Sequence, residues 1–202
     1  MTCRWLRFAA LFSLLSAALT SRGQTTPLHR FFQQHFDSTI VYQSGPTGNN
    51  SPNYLILAKY QNRLDFFTYC SPYRDVLGHY FPGQLVQKFS QEESRFRATI
   101  PDTNRYLLPR RVEEELLRHS WQALHPPQFW AIQGDEQARR STGGCVLEHG
   151  VESTFYLIDK KAIRVARLYA PAFYEACAGK DVGRQQAIQA SSTLQRLLQS
   201  VR

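Results

Sequence analysis

The chain has little of what usually announces chemistry. There is no glycine-rich phosphate loop with its lysine, no zinc helix with paired histidines, no pair of Cys-x-x-Cys units and no calcium loop. A nucleophile elbow of the Gly-x-Ser-x-Gly kind is also missing. These absences remove every reading that depends on a local motif, and no metal or cofactor is expected. They leave open a site assembled from distant segments, as catalytic triads are. Acidic residues are sparse, 16 against 24 lysines and arginines, and lysine itself is scarce, 5 against 19 arginines. The basic residues form no dense run. Their only adjacent pairs are Arg110-Arg111, Arg139-Arg140 and Lys160-Lys161, so nucleic acid is not an expected partner. Beyond the first twenty residues no apolar run approaches the roughly 20 residues that a membrane-spanning helix needs.

What is present begins at the N-terminus. Arg4 and Arg7 precede an apolar run over residues 8–19, interrupted only by Ser13 and Ser16, and Thr20-Ser21-Arg22-Gly23 follow. That order of charge, apolar core and small residues is the layout of a secretory signal peptide. Two cleavage positions satisfy the small-residue rule, after Ala18 and after Gly23; the second is preferred. Residues 1–23 are therefore read as a leader and residues 24–202 as one α+β domain. The leader carries three arginines and no acid, so the formal charge of +8 becomes +5 in the mature chain of 179 residues. An excess of that size favours anionic surfaces such as membrane phosphates or acidic glycans. Hydrophobic residues make up 43% of the chain and aromatics 13%, enough to build a core rather than a disordered polymer.

Export changes the meaning of the cysteines. Once Cys3 leaves with the signal, Cys70, Cys145 and Cys177 remain. Three cysteines in an oxidising compartment imply one bridge and one leftover thiol. Cys145 and Cys177 flank a predicted hairpin that returns the chain toward its start, so they are the expected pair. Cys70 is then a thiol at a strand end.

Thr26-Pro27 opens a first helix with one expected buried face of Leu28, Phe31, Phe32, His35 and Phe36. Residues 39–43 read as a short strand, and 45–53 as a loop of turn residues. Residues 54–60 and 64–69 form the clearest hairpin, around Gln61-Asn62-Arg63. Further strands are expected at 85–89 and 95–100. A helix is expected over 109–124, with Pro109 in its first turn and Val112, Leu116, Leu117, Trp121 and Leu124 as its buried stripe. Phe129 and Trp130 are expected to plug the core, and 134–144 to form a loop. Three strands follow at 145–148, 153–158 and 162–169, the last two joined by Asp159-Lys160-Lys161. Pro171 opens a short helix, and Asp181 caps a final one. Local hairpins without strand–helix–strand repeats point to a mostly antiparallel twisted sheet, with the two main helices packed on one face. A faint echo between Tyr54-Leu55-Ile56 and Tyr156-Leu157-Ile158 suggests either a duplicated hairpin unit or chance.

The densest group of reactive residue types is Cys145, Glu148, His149 and Glu152. Glu148, His149 and Glu152 are the candidate reactive cluster. A turn carrying ordinary surface charges is the preferred explanation over a metal site, and a bridged Cys145 is no metal ligand. His29 and His35 lie six residues apart on one helix and face different ways, so they do not clamp a metal. The tyrosines at the hairpin exits read either as a sugar-binding surface or as cover for the sheet edge. The leading expectation is an exported, non-catalytic envelope or extracellular module that binds a protein or envelope surface. The rivals are a cofactor-free secreted hydrolase with a Glu/His cleft and a weak binder of anionic envelope polymers.

Overall fold

The computed structural model describes residues 26–46, 53–70, 106–124, 126–135 and 144–201. The strands expected at 85–89 and 95–100 lie outside these residues, as do the leader and the side chain of Cys70. The described elements are α1 (Pro27–His35), β1 (Ser38–Pro46), β2 (Asn53–Tyr60), β3 (Arg63–Cys70), β4 (Leu107–Arg110), α2 (Glu114–Ala123), α3 (Pro126–Phe129), β5 (Val151–Asp159), β6 (Ile163–Tyr169), α4 (Pro171–Cys177) and α5 (Val182–Gln199). The strands form one six-stranded antiparallel sheet in the order β4-β3-β2-β1-β5-β6. The α+β class and the antiparallel sheet built from hairpins are as the sequence implies.

Position in the sheet explains composition. β1 is central, paired on one side with β2 and on the other with β5. It is covered on both faces, so Thr39, Ile40, Val41 and Tyr42 are all buried in succession. One face carries Ile40, Tyr42, Leu57, Phe66, Phe155, Leu157, Ala166 and Leu168, packed against Leu117 of α2, Phe129 of α3, and Ala187, Ala190, Leu194 and Leu197 of α5. The two main helices therefore share a face. The opposite face, with Val41, Ile56, Ala58, Tyr156 and Ile158, receives Leu28 and Phe32 of α1. The sheet thus lies between two helical layers, the second supplied by the first helix.

Turn and cap chemistry act where the residue types place them. The Asp159 carboxylate accepts the N–H groups of Lys161 and Ala162, each at 2.7 Å, and closes the β5–β6 turn. Asp181 accepts the N–H of Arg184 at 2.9 Å and caps α5. Thr26 and His29 form a reciprocal capping box at the start of α1.

Three expectations are corrected. Pro109 does not open a helix; it sits in β4 opposite Phe67, and α2 begins at Glu114. β4 is the outermost strand, where a missing N–H removes no ladder bond that the sheet needs. Residues 145–147 are irregular and 148 is a bend, so no strand forms there. His149 there has a φ of 59°, which ends any extended run. The expected loop over 45–53 is shorter, because β1 continues to Pro46 against Val151 of β5 and β2 begins at Asn53. The sequence echo is also out of step in space. Tyr54 lies opposite Gln43, whereas Tyr156 lies opposite Val41, so the two segments occupy β1-flanking positions offset by two residues.

Candidate functional site

The cluster read from sequence does not converge. Glu148 and His149 are exposed in the turn before β5, and Glu152 in β5 accepts a hydrogen bond from the Thr154 hydroxyl at 3.1 Å. Among the described residues, no three His, Cys, Asp or Glu side chains come together to hold a metal. The turn has its own structural logic. The Tyr169 hydroxyl accepts the Gly150 N–H at 2.7 Å and donates to the Leu147 carbonyl at 2.9 Å. A Cβ on Gly150 would lie 2.7 Å from Tyr169 Cζ. We therefore expect Gly150→Ala to dislodge this clamp at a cost of about 1–3 kcal/mol, read as a lowered urea midpoint. Tyr169 is a fastener, and Tyr54 and Tyr69 are buried in the core; these hairpin tyrosines are not an open sugar platform.

Cys145 and Cys177 are joined, with their Cα atoms 6.1 Å apart. The bridge ties the segment before β5 to the end of α4, four residues ahead of the α5 cap.

Beside that cap lies an open cleft of about 780 Å³, within the usual range for small-molecule sites. Leu168 of β6 is among its lining residues. One wall is the strap 131–135, which runs along β6. The Asp135 N–H donates to the Arg167 carbonyl at 2.9 Å, and the Asp135 carboxylate accepts the Tyr169 N–H at 3.0 Å. The approach is close enough to demand glycine at 134, where a Cβ would lie 2.9 Å from the Arg167 oxygen. The other wall is the first turn of α5, with Asp181, Val182, Gly183, Arg184 and Gln186; Gln128 and Gln133 complete the polar lining.

The electrostatics follow from who is already paired. Arg184 is buried, donates to the Gly179 carbonyl at 2.8 Å, and lies 3.5 Å from the Glu175 carboxylate. Burial pushes the Glu175 carboxyl up, but bonds from the Asp181 N–H, the Gln185 amide and Arg184 outweigh it and hold the group below its ordinary range. The arginine charge is thus answered within the wall. The Asp135 and Asp181 carboxylates in the lining already accept the Tyr169 and Arg184 N–H groups, and beside them stand the amides of Gln128, Gln133 and Gln186.

Sequence reasoning missed this site. Its polar members come from 128–135 and 181–186, and only Asp181 carried a local signal, as a cap. No helix among the described residues is long and apolar enough to cross a membrane. Comparison with protein-family models, with characterised proteins and with solved structures yields no match, so the chain is placed by its own geometry alone.

Proposed function

We infer that this chain is an exported, non-catalytic binding module whose ligand enters the cleft between the 131–135 strap and the first turn of α5. The observation that carries the reading is the lining itself: two carboxylates and three amides beside the apolar side chains of Ala131, Ile132, Leu168 and Val182, with the one arginine of the lining 3.5 Å from Glu175. Carboxylates accept hydrogen bonds, and primary amides both donate and accept. That set suits a neutral or amino-bearing saccharide, whose hydroxyls have the same dual character. It does not suit an acidic polymer. Export is supported by the leader-like N-terminus together with the Cys145–Cys177 bridge. The bridge also holds the turn leading into α5, which limits the ordering cost of binding. The Glu/His hydrolase reading draws no support from His149, which lies outside the cleft lining.

The test is a solution binding panel of neutral, amino and uronic-acid oligosaccharides, using the oxidised mature chain. We expect neutral or amino saccharides to bind, and Gln128→Ala or Gln186→Ala to weaken binding about 10-fold or more, roughly 1.4 kcal/mol. Both glutamines lie at the cleft and neither caps a helix. Binding restricted to uronic acids, unaffected by either substitution, would instead favour the anionic-polymer reading.

A further inference from the structure

Helix α1 carries a histidine that the fold encloses and leaves incompletely bonded. His29 is fully buried. Its Nδ1 accepts the Thr26 N–H at 3.2 Å, which requires the neutral tautomer with its proton on Nε2. Nε2 has no hydrogen-bond partner among the described residues. The ring lies against aromatic surfaces: it stacks on Tyr156 at 4.1 Å and tilts against Tyr54 at 5.7 Å. Tyr54 in turn stacks on Tyr69 at 5.6 Å.

We propose that α1 is a latch, released from the sheet by protonation of His29, that uncovers the apolar face beneath it. The chemistry has two parts. The arriving proton can only take the Nδ1 lone pair, so the Thr26 N–H loses its acceptor and that arm of the capping box at the start of α1 is broken. The new Nδ1–H can donate to the Thr26 hydroxyl oxygen 3.3 Å away, but the ring becomes a cation in a place built for a neutral group, and its Nε2–H still lacks an acceptor.

No counter-charge is bonded to the ring. The titratable group facing it from β2 is Tyr54, and from β5 Tyr156, with Tyr69 of β3 behind Tyr54. β1 presents Thr39 and Val41 on this face. On α1 itself, Arg30 and His35 are exposed. The nearby carboxylates are engaged elsewhere: Asp37 with the Gln61 N–H at 2.6 Å, Glu152 with the Thr154 hydroxyl, and Asp159 with its own turn. Stacking on Tyr156 offers the cation some compensation through the ring face. Burial nevertheless lowers the His29 pKa from 6.5 to about 4. The remaining ties of α1 are the packing of Leu28, Phe32 and Phe36, the Gln33 amide on the Asp159 carbonyl at 3.2 Å, and Lys160 on the Gln34 carbonyl at 2.8 Å.

The sign follows. In the released state His29 titrates near its ordinary value, and in the seated state near 4. Seating is at full strength above about pH 6.5 and weakens as the pH falls toward 4. At pH 4.5 the seated-to-released ratio is about 60-fold lower than at pH 7. Release of α1 does not depend on what the cleft binds.

The experiment is amide exchange with site resolution on the oxidised chain between pH 7 and 4.5, corrected for intrinsic rates, with the His29 imidazole resonance followed in parallel. The α1 amides should lose about 60-fold in protection while those of Ile56 and Leu157 keep theirs, and His29→Phe should abolish the loss. If that variant does not fold, His29→Gln serves the same purpose. If neither folds, the wild-type resonance decides, because imidazole protonation must coincide with α1 exposure. Simultaneous loss in α1 and sheet, an unchanged loss in the variant, or imidazole titration uncoupled from α1 exchange would overturn the proposal.

Discussion

Replacing Cys177 with serine, together with Cys145 so that no stray thiol remains, should lower the unfolding free energy by about 4 kcal/mol. The two cysteines are separated by 32 positions. Closing a loop of that length removes conformational freedom chiefly from the unfolded chain, and the chain-entropy model gives a figure of this size. Urea denaturation reads it directly. The midpoint falls, and the slope rises because the unbridged unfolded state exposes more surface. The substitution should also reach the cleft. Cys177 ends α4 and stands just ahead of Asp181, so an untethered turn leaves the α5 wall less preorganised and weakens saccharide binding. A loss below about 1 kcal/mol would mean that the bridge constrains little that the sheet does not already hold.

Phe155→Ala is expected to cost about 3–5 kcal/mol, the upper range for truncating one core side chain. Phe155 has no exposed surface and sits in β5 between Tyr42 of β1 and Ala166 of β6. Its ring stacks on Tyr42 at 5.0 Å and meets Phe129 edge-on at 5.2 Å and 88°. It therefore joins the middle of the sheet to the short helix α3, which precedes the strap that walls the cleft. Truncation leaves a void bounded by paired strands, which cannot collapse without breaking the ladder. A double-mutant cycle with Phe129→Ala should show a coupling of about 1 kcal/mol, the share belonging to the ring pair. A coupling near zero would place the stabilisation in area alone.

Local chemistry was readable wherever one residue decides the outcome. Thr26-Pro27, the Asp159-Lys160-Lys161 turn, Pro171 and the Asp181 cap all act as their types imply, and the strongest alternation of β-formers became the β2–β3 hairpin. The failures came where a distant partner decides. The fixed φ of Pro109 fits both a first helical turn and an edge strand, and pairing with Phe67 selects the strand. The stripe of α1 was visible, but no local pattern states which face of a sheet it will cover. Density along the chain misled in the other direction. Glu148, His149 and Glu152 are neighbours in sequence, yet a positive φ at His149 and the start of β5 spread them apart. The cleft was invisible for the converse reason, since Gln128 and Gln186 come to line one cleft only once α3, β6 and α5 have assembled.

Export is the premise on which the bridge, the mature terminus and the binding role all rest. Peptide mapping of the natively produced protein by mass spectrometry, with thiols blocked before lysis and without reduction, probes it at its source. We expect a chain beginning at Gln24, recovered outside the cytosol, with a Cys145–Cys177 cross-linked peptide and a blocked thiol at Cys70. A cytosolic chain that retains Met1, with Cys145 and Cys177 both blocked as free thiols, would refute export and everything built on it.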